Sequence, residues 1–196
     1  MKAIDLYSGI GGWALGLKMA GIEVIAGYDL WGPAVDTYNA NFGTDHRPVD
    51  LRNTDPLELH KPNEIDIIVG SPPCTQFSFA NRGGSGDIDD GLVDIRVFLD
   101  FVEKLKPKYW AMENVPRVAG ILDRHLFNDD GTLYRYKHLC DHKDFSIDVI
   151  NCADLGIPQK RKRMIAGVYP SNLLQSYAGN LKYATLGNVI KAISNK

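Results

Sequence analysis

Short apolar runs alternate along the chain with longer amphipathic stretches. The runs at residues 3–6, 23–29, 65–70 and 109–113 are each followed by a turn and a helical stretch, an alternation that argues for βαβ units and an α/β fold. From 92 to 106, Ile95, Phe98, Leu99, Val102 and Leu105 recur at three- and four-residue spacing before Pro107, as on a helix packed against a sheet. Strands are expected around 145–150 and 164–168, and another just ahead of Asp50. A short terminal helix is expected over 186–194. The glycine-rich stretch 81–91 carries few apolar residues and reads as a mobile loop.

Composition narrows the class. A chain of 196 residues, 44% hydrophobic and 23% charged, suits one soluble domain with its own core. No apolar run reaches the roughly 18 residues of a membrane span, and the start lacks the pattern of a signal peptide, so a cytoplasmic protein is expected. Cys74, Cys140 and Cys152 stand far apart without a C-x-x-C pair, which suits free thiols better than a disulfide framework or a metal site. The formal net charge of −2 cannot hold a polyanion by the overall field, so nucleic acid would need a local basic patch or a partner.

Two strand ends carry candidate chemistry. After the first strand, Gly9, Gly11 and Ala14 stand at the spacing of a G-x-G-x-x-G/A turn, where missing side chains admit a ligand to the backbone. Asp29, ending the second strand, sits where a carboxylate accepts from a ribose diol. These parts serve NAD as well as other nucleosides. Asp50 is a candidate for the adenine amino group, or an acidic cap before Asn53 and Thr54.

The apolar strand at 65–70 runs into Ser71-Pro72-Pro73-Cys74. That puts a thiol at the carboxyl end of a strand, where open α/β sheets bind ligands. A polar turn stiffened by two prolines gives little apolar surface in which to bury it, whereas Cys140 and Cys152 read as core cysteines. Glu113 ends the next apolar strand and would face the thiol if that strand neighbours it; otherwise it is a helix-start carboxylate. Gln159-Lys160-Arg161-Lys162-Arg163 follows a fixed Gly156-Ile157-Pro158 turn, and its guanidiniums could hold phosphate or a base oxygen, or form a solvated basic turn.

Taken in order, Asp5-Leu6-Tyr7-Ser8-Gly9-x-Gly11-Gly12, Pro72-Pro73-Cys74, Glu113-Asn114-Val115 and Gln159-x-Arg161-x-Arg163 resemble the motifs of the cytosine-C5 DNA methyltransferases. Similarity also lies in Tyr38-Asn39-Ala40-Asn41-Phe42, in Gly91-Leu92-x-Asp94-x-Arg96 and in the run from Asn151 to Pro158. The resemblance implies a Rossmann-like fold with a mostly parallel, doubly wound sheet and one antiparallel strand near the C-terminus. It implies S-adenosylmethionine as cofactor, held by Asp5, Tyr7, Gly9, Gly11, Gly12, Asp29, Leu30, Asp50, Leu51, Pro72 and Leu99. Cys74 would add to C6 of a flipped-out cytosine while Glu113 engages N3. Arg161 would contact Glu113 and the phosphate region, and Arg163 the O2 edge. Ser71, Pro73, Gln76, Ser78, Arg96, Asn114 and Gln159 would contact the substrate or its phosphates.

The resemblance places a catalytic domain over 1–170 and a linker or short helix over 171–196, where the family continues into a target-recognition domain. It therefore implies double-stranded DNA as substrate and a second polypeptide supplying recognition. No membrane or metal is implied, and the setting is cytoplasmic, at the nucleoid in a bacterium. Competing readings are a non-catalytic S-adenosylmethionine- or DNA-binding module, a tRNA cytosine methyltransferase, and an NAD oxidoreductase, which would leave Cys74 and Glu113 unexplained.

Overall fold

The computed structural model describes residues 1–77 and 87–180. In chain order the elements are β1 (Lys2–Leu6), α1 (Gly12–Met19), β2 (Glu23–Tyr28), α2 (Gly32–Phe42), α3 (Pro56–Leu59), β3 (Ile67–Gly70), α4 (Ile88–Leu105), β4 (Tyr109–Asn114), α5 (Val118–Phe127), β5 (Phe145–Asn151), β6 (Lys162–Val168) and α6 (Ser171–Asn180). The strands form one sheet in the order β2-β1-β3-β4-β6-β5. β1 pairs in parallel with β2 and β3, and β3 with β4. β6 is antiparallel to both β4 and β5, so it is the one reversed strand, as the motifs implied.

The alternation of β1 explains the layers. Ile4 and Leu6 enter the main core with Ile68, Trp110 and Met112, beneath the apolar face of α4 and the buried side of α5. Ala3, Ile67 and Val69 face the other way, toward Trp13 and Leu17 of α1. Strands covered on both faces read as continuous apolar runs, which is why their positions were legible. Ile95, Phe98, Leu99, Val102 and Leu105 are all buried along α4, each contributing on the order of 2 kcal/mol from the area it removes from water. The chain leaves β1 for β2 on one side and returns to β3 on the other, so the ligand-binding crevice falls at the carboxyl ends of β1 and β3.

Two expectations change. α4 begins at Ile88, inside the stretch read as a loop. The Asp87 carboxylate caps it by accepting from the amides of Asp89 and Asp90, and two acids in the first turn suit the helix dipole. Residues 81–86 of that predicted loop lie outside the described residues. No strand precedes Asp50; the segment from 44 to 50 is irregular, joined to the sheet edge by one bond from Val49 N to Asp29 O at 2.8 Å. In the C-terminal segment a helix spans Ser171–Asn180, while the helix expected over 186–194 falls outside the described residues.

Candidate active site

The turn after β1 is built from left-handed backbone. Tyr7, Gly9 and Gly11 have φ of 54°, 52° and 94°, and Gly11 caps the start of α1. A Cβ on Gly11 would run into the Phe42 and Tyr38 rings, so glycine there meets both a torsional and a packing demand. Below the turn, the Asp5 carboxylate is fully buried. One of its oxygens accepts from the Ala14 amide at 3.2 Å, and the other meets no partner among the described residues. Burial pushes its pKa to about 8, against the lowering effect of the Ala14 amide. Asp5 supports the turn from beneath and does not line the cleft.

The cleft above it, about 750 Å³, is lined by Tyr7, Asp29, Leu30, Trp31, Val49, Asp50, Leu51, Arg52, Asn53, Pro73 and Asp94. Asp29 already accepts from Gly9 N at 2.9 Å and from Trp31 N at 2.8 Å, leaving lone pairs for a ligand hydroxyl. Asp50 is the predicted cap, accepting from Arg52 N and Asn53 Nδ2, and it also faces the cleft. Leu99 is buried in the core at 1% exposure and lies outside the lining. On the same helix, more than a turn earlier, Asp94 faces the cleft instead. Its carboxylate, 4% exposed, takes a hydrogen bond from Tyr7 Oη at 3.2 Å and a forked pair from Arg52 Nε and Nη2 at 2.8 and 2.7 Å. Burial and the neighbouring Asp94 raise the Tyr7 pKa, so its phenol stays neutral and donates. Apolar walls with three carboxylates and one paired guanidinium suit a nucleoside carrying positive charge, as S-adenosylmethionine does. A dinucleotide would bring pyrophosphate against those acids.

The second strand end lies beside the first. Ser71 donates its amide to Leu6 O at 3.2 Å, and Trp13 of α1 donates to Ser71 Oγ at 3.0 Å. Asn114, 1% exposed, ends β4 and donates to Pro72 O at 3.1 Å, tying that strand end to the prolines before Cys74. Cys74 is partly exposed. The turn over 74–77 is closed by Phe77 N donating to Cys74 O at 3.0 Å and anchored by the Phe77 ring, which is fully buried over Gly91, where a Cβ would collide with it. Glu113 lies one residue before Asn114. Its Oε1 pairs with Arg163 Nε at 2.6 Å, both side chains partly buried. The pair is diagonal across the β4·β6 ladder, in which Glu113 stands opposite Ile165.

Thus Cys74, Glu113, Arg163, Asn114 and the cleft gather at one edge of the sheet. The guanidinium on Glu113 belongs to Arg163, whereas the motif comparison had pointed to Arg161. Position along the ladder explains this, since Arg163 lies within β6 two residues from Ile165, the partner of Glu113, while Arg161 precedes the strand and is exposed, as is Gln159. Arg96 lines a separate hollow with Thr132 and Leu133. Gln76 bonds to Asp90, and Ser78 lies outside the described residues. Sequence reasoning gave no role to Arg52, Trp13 or Phe77, and none to Asp94 beyond its place in a motif. Asp94 did carry a signal, a carboxylate on the apolar stripe of α4. Of the other thiols, burial pushes the Cys140 pKa up to about 12, which makes it inert. Among the described residues no helix is long and apolar enough to cross a membrane, and no group of ligating side chains could hold a metal.

Comparison with known proteins converges on one family. The family model described as C-5 cytosine-specific DNA methylase matches residues 1–182. The type II methyltransferase M.HindV of Haemophilus influenzae is 39% identical over 169 residues, covering 83% of this chain and 51% of that protein. M.HgiDI of Herpetosiphon aurantiacus, also a type II methyltransferase, is 35% identical, covering 83% of this chain and 50% of that protein. A solved structure of a Spodoptera frugiperda DNMT2 variant superposes with a TM-score of 0.63 at 26% identity, over 88% of this chain and 50% of that one. The chain thus spans about half the length of the curated relatives it matches. Family model and relatives agree, and the chain belongs to the C-5 cytosine-specific DNA methylase family.

Proposed function

We propose that this chain carries the methyl-transfer machinery of a DNA cytosine-C5 methyltransferase, with Cys74 as the nucleophile. The observation that carries the reading is the grouping at the ends of β3 and β4, where the Cys74 turn, the Asn114–Pro72 bond and the Glu113–Arg163 pair adjoin the cleft.

The chemistry explains the residue types. Cytosine C5 is a poor nucleophile until C6 is saturated, which a soft thiolate does well. The Cys74 sulfur bonds to C6, and the displaced electron density runs toward C5 and N3. Glu113, with one carboxylate oxygen held by Arg163, turns the other to the N3 edge, where it shares a proton and neutralises the ring. Bound in the cleft, S-adenosylmethionine, the family's methyl donor, would supply an electrophilic methyl group to C5, its sulfonium leaving as the thioether S-adenosylhomocysteine. A base then takes the C5 proton and the C6–S bond breaks, returning the thiolate. The base must leave the duplex for both ring faces to be reached, and the partly exposed thiol suits a cytosine that enters from outside.

On this reading the binding of double-stranded DNA is shared with a second polypeptide. A net charge of −2 favours such sharing, because phosphate contacts dominate DNA affinity. Transfer of label from S-adenosylmethionine to duplex DNA, with and without a co-encoded neighbouring protein, tests the reading. Cys74→Ser must abolish incorporation, and equal incorporation by wild type and variant would sink the assigned chemistry. Cofactor binding without turnover under any pairing would favour the binding-module reading.

A further inference from the structure

A continuous chain of polar contacts runs from the cleft to the turn that bears Cys74. Tyr7, Arg52 and Asp94 line the cleft. Arg52 spreads its guanidinium between two carboxylates, with Nε and Nη2 on Asp94 at 2.8 and 2.7 Å and Nη1 on Asp90 at 3.2 Å. The second Asp90 oxygen accepts from Gln76 Nε2 at 3.0 Å, and Gln76 Oε1 accepts from the Asp87 amide at 3.1 Å, at the start of α4. Gln76 stands two residues from Cys74, inside the turn closed by Phe77.

We propose that Arg52 and Asp94 are positioning residues that couple occupancy of the cleft to the conformation of the Cys74 turn, with Asp90 and Gln76 as the link. The proposal rests on the methyl-donor reading of the cleft and goes beyond it. Asp94 is almost wholly buried, so its charge requires a partner, and Arg52 supplies one while half exposed itself. One cation shared by two carboxylates divides its hydrogen bonds between them. A ligand that bonds Tyr7 Oη or the Asp94 carboxylate changes how strongly Asp94 holds Arg52, and so how much of the guanidinium remains for Asp90. Asp90 in turn sets whether Gln76 is held against the start of α4. The coupling requires no movement of the sheet, only redistribution along side chains whose contacts are already in place.

The test reads the rate of Cys74 alkylation by iodoacetamide, followed on its own peptide by mass spectrometry, with and without saturating S-adenosylhomocysteine, whose affinity is measured separately by calorimetry. In the wild type the ligand should change the Cys74 rate by about fivefold or more, the lower end of ordinary coupling factors. Asp90→Ala, outside the cleft, should still bind S-adenosylhomocysteine and lose that change. Gln76→Met cuts the link from its other end and should behave alike, and it stands in if Asp90→Ala does not fold. Asp89→Ala, another first-turn acid outside the chain of contacts, should respond as wild type. An equal ligand effect in wild type, Asp90→Ala and Gln76→Met would mean direct shielding and overturn the coupling. Binding with no effect on the wild-type rate would overturn it too. No binding of S-adenosylhomocysteine to the wild type would overturn the methyl-donor reading, and the coupling with it.

Discussion

Asp5 and Glu113 are both carboxylates at strand ends, yet their surroundings give them different work. Asp5 is enclosed beneath the glycine turn with one weak amide partner, and burial raises its pKa from 3.8 to about 8. Below pH 4 the group is protonated whether folded or unfolded and costs nothing. As pH rises from 4 to 8 the unfolded chain releases the proton and the folded chain keeps it. Stability therefore falls across that window, by an amount on the order of a few kcal/mol. Asp5→Asn keeps an acceptor for the Ala14 amide and removes the titration, so its melting temperature should vary less than that of wild type between pH 5 and 8. Parallel curves would refute this. Glu113 instead has Arg163 on one oxygen. Glu113→Gln should lower methyl transfer about 10²- to 10⁴-fold while leaving S-adenosylhomocysteine affinity intact, as calorimetry beside a turnover assay would reveal. The residue types at both positions were readable from motif order. The identity of the partner arginine was not, because it depends on where β6 begins and how it registers on β4.

At the scale of elements, the start of α4 joins the two halves of the site. Asp87 caps it, Asp90 holds Gln76, Gly91 makes room for Phe77, and Asp94 reaches the cleft. The start of α4 from Ile88 to Gly91 reads as loop because its order comes from outside itself. Phe77 packs on it from across the Cys74 turn, and Arg52 pairs with it from the segment after β2. Gly91→Ala should gain up to about 1 kcal/mol of helix propensity but drive a Cβ into the buried Phe77 ring, at a cost of roughly 1–3 kcal/mol. The net effect is destabilisation, with a faster reaction of Cys74 toward iodoacetamide as its turn loosens. A thermal melt beside an alkylation time course checks both, and a stabilised variant with unchanged Cys74 reactivity would count against the anchor. Asp87→Ala should cost about 1 kcal/mol through the lost cap.

At the scale of the molecule, 22 basic residues against 24 acidic ones and a cleft lined by carboxylates describe a surface suited to a cationic cofactor more than to DNA. The chain by itself should therefore bind duplex DNA no more tightly than about 10⁻⁵ M at physiological salt, within the non-specific range. Fluorescence anisotropy measures this, and nanomolar binding by the chain alone would contradict the expectation. The fold class, the strands covered on both faces, the glycine turn and the position of the thiol were determined by sequence alone. Each rests on a local pattern: apolar runs, the absence of side chains at fixed spacing, and two prolines before a cysteine. Tertiary structure decided the rest. It put Asp94 rather than Leu99 at the cleft, Arg163 rather than Arg161 on Glu113, and Phe77 under the Cys74 turn. These are facts of register and of which face of a helix meets which neighbour, set by contacts between segments far apart in the chain, and no local pattern contains them.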